Sequence, residues 1–190
     1  TDGNHGNDGA SGLKAIAIGS NAVASGNFAL AEGYGANAAG LSSLAVGDNA
    51  QAAGANGVAL GRNSYASPFG DAVAIGANAN ARNVQSIAIG GQSIANESGS
   101  MALGNGANAF YAQDLAIGNL ANAMGGRSVA IGKQATSKGE SGVALGTEAL
   151  SNGAYGVAIG YQAQTVYSGG VALGHRAKAD FYGIAQGAEA

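Results

Sequence analysis

The tetrapeptide Val129-Ala130-Ile131-Gly132 returns fourteen residues later as Val143-Ala144-Leu145-Gly146, and this recurrence runs through the chain. With the closing glycine as marker, the repeat falls at Gly19, Gly33, Gly47, Gly61, Gly76, Gly90, Gly104, Gly118, Gly132, Gly146, Gly160, Gly174 and Gly187. The spacing is 14 residues, apart from one interval of 15 before Gly76 and one of 13 before Gly187. A fixed period of this kind identifies a stack of like units, each too small to bury its own apolar face.

Counted from the marker, position −3 is large and apolar (Ile16, Leu30, Val58, Met101, Val129) and position −1 repeats it (Ile18, Val46, Leu60, Ile131, Leu145). Position −2 between them is always alanine. Large, small, large is an alternation of period two and predicts a short strand. The marker glycine ends the strand at a turn, where it accepts positive φ without steric cost. A second alternation follows, with small residues at +3 and +5 (Ala22 and Ala24, Ala121 and Ala123) around a variable +4. Each unit therefore reads strand, turn, strand, turn. Thirteen such coils, stacked at about 4.8 Å, would make a two-sheet parallel β-roll roughly 60 Å long.

By size, the −3 and −1 aliphatics are expected inside, against the +3/+5 alanines, which turns −2 outward. The neighbouring −4 is also small (Ala15, Ser43, Ser86, Gly142). An outer row restricted to small residues predicts close packing of another backbone. The expected interface between chains is then Ala17, Ala45, Ala59, Ala74, Ala88, Ala102, Ala116, Ala130, Ala144, Ala158 and Ala172. Two buried aliphatics per coil leave a single roll little margin over backbone ordering at about 1–2 kcal/mol per residue. A cyclic homo-oligomer is expected.

Composition supports a packed solenoid. Glycine supplies 35 of 190 residues, but collagen would need it at every third position with abundant proline, and there is one proline. The net charge of −3, without a basic stretch, gives no footprint for nucleic acid. There is no cysteine for disulfides or thiol chemistry. Residues 1–12 read as a lead-in or imperfect first coil and residues 13–190 as about thirteen coils. The closing Gly187-Ala188-Glu189-Ala190 resembles the start of a further unit, so the chain is read as a piece of a longer protein.

The segments Ser86-Ile87-Ala88-Ile89-Gly90, Ser100-Met101-Ala102-Leu103-Gly104 and Ser128-Val129-Ala130-Ile131-Gly132 resemble the Ser-Val-Ala-Ile-Gly repeat of YadA-like heads of trimeric autotransporter adhesins from Gram-negative bacteria. The resemblance covers about Leu13 to Ala190. It implies an all-β, left-handed parallel β-roll assembled as a homotrimer. It also implies display at the bacterial cell surface, on a stalk and outer-membrane anchor lying outside this chain, and a role in virulence. Family heads attach to host cells, extracellular-matrix proteins, other bacteria or abiotic surfaces, without catalysis. Glu32 and Gln186 depart from the pattern at −1, which puts the interior packing of their coils in question. The 15-residue coil holds Ser67-Pro68-Phe69-Gly70, expected as a bulged turn.

No catalytic constellation is apparent. His5 and His175 are far apart, and the acids are scattered over turns without a repeating offset. No cofactor or metal site is expected; the nine-residue calcium β-roll signature is missing. What remains is surface. The +4 row supplies the exposed ligand-face candidates Tyr65, Asn80, Asn108, Asn122, Thr136, Gln164 and Lys178, with Tyr34, Phe69, Tyr155, Tyr161, Tyr167 and Tyr182 interspersed over the turns. A ladder of weak sites suits multivalent attachment. An ice-binding solenoid is the alternative, but it needs a regular, usually threonine, array that this mixed row lacks. An acyltransferase β-helix would need a hexapeptide period, which does not divide 14.

Overall fold

The computed structural model describes residues 7–190; residues 1–6 of the expected lead-in, His5 among them, lie outside the described residues. The chain divides into two compact units, Thr1–Ala95 and Asn96–Ala190. Each is built from the same coil. In the first unit, three-residue strands run from Ile16–Ile18 to Ile87–Ile89, alternating with two-residue strands from Val23–Ala24 to Ile94–Ala95. The second repeats the scheme from Met101–Leu103 to Ile184–Gln186. The three-residue strands form one parallel sheet in each unit and the two-residue strands the other.

Register follows the repeat residue for residue. Ile16, Ala17 and Ile18 pair with Leu30, Ala31 and Glu32. In the second unit Val129, Ala130 and Ile131 pair with Val143, Ala144 and Leu145. The backbone donors of one coil go to the next: Ile16 N–H donates to Ala29 O at 2.9 Å and Val129 N–H to Gly142 O at 2.8 Å. Parallel strands with their crossovers reduced to tight turns give an all-β solenoid with a rise of one strand spacing per coil.

Two features make the coil close. The marker glycine sits at a φ that side chains rarely adopt, +129° at Gly118, and a Cβ there would lie 2.5 Å from the carbonyl oxygen of Gly132. Both backbone conformation and stacking therefore require glycine. Left-handed residues at +2 and +9, such as Asn49 (φ 53°) and Asn56 (φ 55°), supply the remaining corners, and asparagine tolerates them best. The 15-residue coil absorbs its extra residue in the Pro68-Phe69 turn, where Phe69 N–H donates to Ser67 Oγ at 3.1 Å. Flanking pairs Val58↔Val73 and Tyr65↔Asn80 keep register, as expected of a bulged turn.

The inside of the roll is the reverse of the size-based expectation. Ala17 is 3 % exposed, and Ala45, Ala59, Ala74, Ala88, Ala102, Ala116, Ala130, Ala144, Ala158 and Ala172 are fully buried. They meet the +3 and +5 alanines: Ala158 and Ala172 cluster with Ala163, Ala177 and Ala179. The core is a layer of methyl groups. The −3 and −1 aliphatics point out, Ile16 and Ile18 being 49 % and 52 % exposed. The alanines thus lie in the chain's own core and cannot be the surface offered to another chain. The physical reason is the thinness of the coil: strands of two and three residues joined by tight turns leave room between the sheets for methyls and hydroxyls, not for Val, Ile or Leu. Glu32 and Gln186 consequently cost the core nothing, since both stand on the outer face.

Candidate interaction surfaces

Each coil presents two outer faces of opposite chemistry. The three-residue strands carry the −3/−1 aliphatics. In register these make a continuous apolar strip within each unit: Leu44, Val58 and Val73 beside Val46, Leu60 and Ile75 in the first, and Val129, Val143 and Val157 beside Ile131, Leu145 and Ile159 in the second. None of these side chains is buried in the single chain. A contiguous strip of this kind marks an interaction surface, unlike single exposed aliphatics.

The two-residue strands carry the +4 row on the opposite side. Tyr65 and Asn80 are neighbours in the first unit. Asn108, Asn122 and Thr136 stand in register in the second, with Gln164 and Lys178 paired further along. All seven ligand-face candidates project outward, half-buried by their neighbours except for the exposed Lys178. The amide oxygens of Asn80, Asn108 and Asn122 are shielded from water and accept no hydrogen bond. The row is polar but irregular, mixing Ile94, Leu150 and Lys178 with amides.

The turns form the edges. Small hydroxyls at −4 and +3 satisfy them from inside: Ser100 Oγ donates to Glu97 O at 2.6 Å, and Ser93 Oγ to Gly90 O at 2.8 Å. Asp114 is the exception at −4 and went unremarked in the sequence reading, although every other coil has Ala, Ser or Gly there. The residue is 1 % exposed. It accepts hydrogen bonds from Ser128 N–H and Ser128 Oγ, each at 2.8 Å, and from Tyr111 N–H at 2.9 Å.

Large side chains are held outward at the turns, among them Tyr34, Phe69, Tyr155, Tyr161, Tyr167 and Tyr182, all exposed. His175 stacks on Tyr161, with centroids 5.5 Å apart and planes 11° from parallel. Beside them a polar ladder climbs from coil to coil. Gln162 Nε2 donates to Glu148 Oε2 at 2.7 Å, and Arg176 Nε donates to Gln162 Oε1 at 3.0 Å. Among the described residues no group of three or more His, Asp or Glu side chains is placed to hold a metal ion.

The sequence model described as the YadA head domain repeat, in two copies, matches residues 10–36, 38–64, 70–93, 81–107, 112–135 and 137–163. No curated protein matches the chain.

Proposed function

The chain belongs to the YadA head domain repeat family, and from that premise we propose that it is the adhesive head of a trimeric autotransporter, displayed on a bacterial outer surface and without catalytic activity. The observation that carries this reading is the exposed −3/−1 aliphatic strip. It is in register and replaces the alanine row as the face that meets sister chains.

Energetics favour covering it. Among the described residues, thirteen three-residue strands carry about two dozen outward aliphatics, with Glu32 and Gln186 interrupting the −1 row. Completing the burial of a half-covered Val, Ile or Leu contributes on the order of 1 kcal/mol. The sum exceeds the roughly 4–15 kcal/mol that association costs in lost freedom. A closed cyclic assembly gives every copy the same environment. Membership of this family supports three copies, in left-handed rolls.

With that face covered, the +4 row and the turn edges remain for attachment to extracellular-matrix proteins, host or bacterial surfaces, or abiotic material. Many weak, regularly spaced contacts repeated on three chains favour avidity over one tight site. The test has two parts. Light scattering of the purified chain should give three times the chain mass. Immobilised head should then capture at least one member of a panel of collagen, fibronectin, laminin, host cells, bacteria and plastic. Tyr65→Ala and Gln164→Ala should weaken that capture without lowering the melting temperature. A folded monomer, or a trimer inert to the whole panel, would refute the reading.

A further inference from the structure

We propose that the second unit carries a saccharide-binding groove at Tyr111 that takes a neutral hexose. A shallow cavity of about 580 Å³ opens there at the second turn of the coil, within the range of small-molecule sites. Gly125 and Gly126 contribute bare backbone to its lining. One wall is the exposed ring of Tyr111, braced edge-to-face by Phe110 at 4.9 Å and 79°. The other wall is Arg127, whose Nη2 donates to Glu140 Oε1 at 2.8 Å. Gln113 and Glu97 complete the rim.

This combination matches the chemistry of a pyranose, which has one apolar C–H face and a periphery of hydroxyls that both donate and accept. Tyr111 offers a flat π-face for the C–H side. Arg127 donates, Glu97 and Glu140 accept, and the Gln113 amide does both. Two carboxylates against one guanidinium leave the rim net negative, which disfavours acidic sugars and selects a neutral one.

The groove is assembled by departures from the repeat that coincide in adjacent coils. Gly125-Gly126 is the one place where glycine fills both +7 and +8, removing the side chains that elsewhere occupy the turn. Tyr111 stands at +7 one coil earlier, in a position often glycine. Asp114 replaces the small −4 residue directly beneath, and its two oxygens tie the Tyr111 N–H and Ser128 to one buried carboxylate. The wall carrying the ring and the strand following the opposite wall are therefore anchored to the same group, which holds the groove in shape before any ligand arrives.

The inference deepens the adhesive reading by naming a ligand class, and rests on it for its biological use. Saturation-transfer NMR on the full 190-residue chain tests it with methyl glycosides of glucose, galactose, mannose and N-acetylglucosamine, with sialic acid and a lysine-rich peptide as competitors. Transfer to at least one neutral glycoside is expected. Tyr111→Ala should weaken it about tenfold, equivalent to roughly 1.4 kcal/mol, and Gly126→Asn, which adds a side chain beside Tyr111, should abolish it. Tyr155→Ala, an exposed turn tyrosine outside the groove, should change nothing; it and Tyr111→Ala should melt as the parent does, and Gly126→Asn, at φ +77°, should stay folded with a slightly lower midpoint. Absence of transfer, insensitivity to Tyr111→Ala, or preferential displacement by sialic acid or the peptide would overturn the proposal. A head that attaches to surfaces without touching these sugars sinks the groove alone; one that binds them through Tyr111 yet attaches to nothing sinks the adhesive reading alone.

Discussion

The carboxylate of Asp114 receives both the N–H and the hydroxyl of Ser128, one coil further along, at 2.8 Å each. With Tyr111 N–H on its second oxygen at 2.9 Å, it is a buried acceptor held by three donors. Hydrogen bonds to a charged group contribute about 1.5–3 kcal/mol, and a buried donor left without a partner costs about 1–3 kcal/mol. Asp114→Ala should therefore destabilise the second unit by about 2–4 kcal/mol. Asp114→Ser restores the residue that Ser100 and Ser128 show at the same position, where the hydroxyl serves its own turn, and should cost about 1 kcal/mol. Thermal melts followed by circular dichroism would separate the two.

The inward alanines and outward aliphatics predict opposite consequences for neighbouring substitutions. Ala130 and Ala144 are fully buried and adjacent in register. Leucine at either would overfill a core made of methyl groups, at a cost of about 1–3 kcal/mol or more each. The double variant should lose β-structure in its coils even as a monomer. Val129→Ser with Ile131→Ser changes only the outer strip, and should give a folded chain whose assembly dissociates at a lower denaturant midpoint. Light scattering paired with circular dichroism distinguishes these outcomes. The result inverts what residue size alone predicts for Ala130→Leu, namely a dissociated but folded roll.

That inversion shows where the sequence was readable. Period, strand positions, turn glycines, the Pro68 bulge and the outward +4 row all follow from local constraints, such as φ sign and alternation, that act within a few residues. Which face of the three-residue strand is enclosed depends on the distance between the sheets, and that is set by the whole coil. Hydrophobicity pointed to Val129 and Ile131. Variation pointed the other way: position −2 is alanine in every coil, narrower even than +3 and +5, which admit serine and threonine, while −3 accepts Val, Leu, Ile or Met. The position least tolerant of size is the most confined one. Asp114 was visible as a lone acid in a row of small residues, but its three donors come from the turn before it and the coil after it, which no local pattern reveals.

Glu32 interrupts the outward strip between Ile18 and Val46. On a single chain it is exposed and harmless. Against sister chains, the same carboxylate must lose water or hold the strip open, and it displaces an aliphatic that would add about 1.5–3 kcal/mol when buried. Glu32→Leu should raise the stability of the assembly by about 1–3 kcal/mol per chain, read as a higher denaturant midpoint for dissociation. If the strip faces only solvent, the same substitution should leave the midpoint unchanged and reduce solubility.

Leu120 holds a left-handed conformation, φ 57°, at a corner where other coils place Asn49, Asn63 or Asn78. Its side chain is exposed, so packing returns little for that strain. A non-glycine residue in this region costs roughly 1–2 kcal/mol, and asparagine pays least through its local hydrogen bonds. Leu120→Asn should stabilise the second unit by about 0.5–1 kcal/mol. Two residues earlier, Gly118 has φ +129° and no room for a Cβ beneath the Gly132 carbonyl. Gly118→Ala should cost several times more than Leu120→Asn returns, because strain and a backbone clash add. The pair can be compared in one urea titration, where a stabilising Gly118→Ala would mean that stacked coils can part at the marker glycine without loss of the ladder.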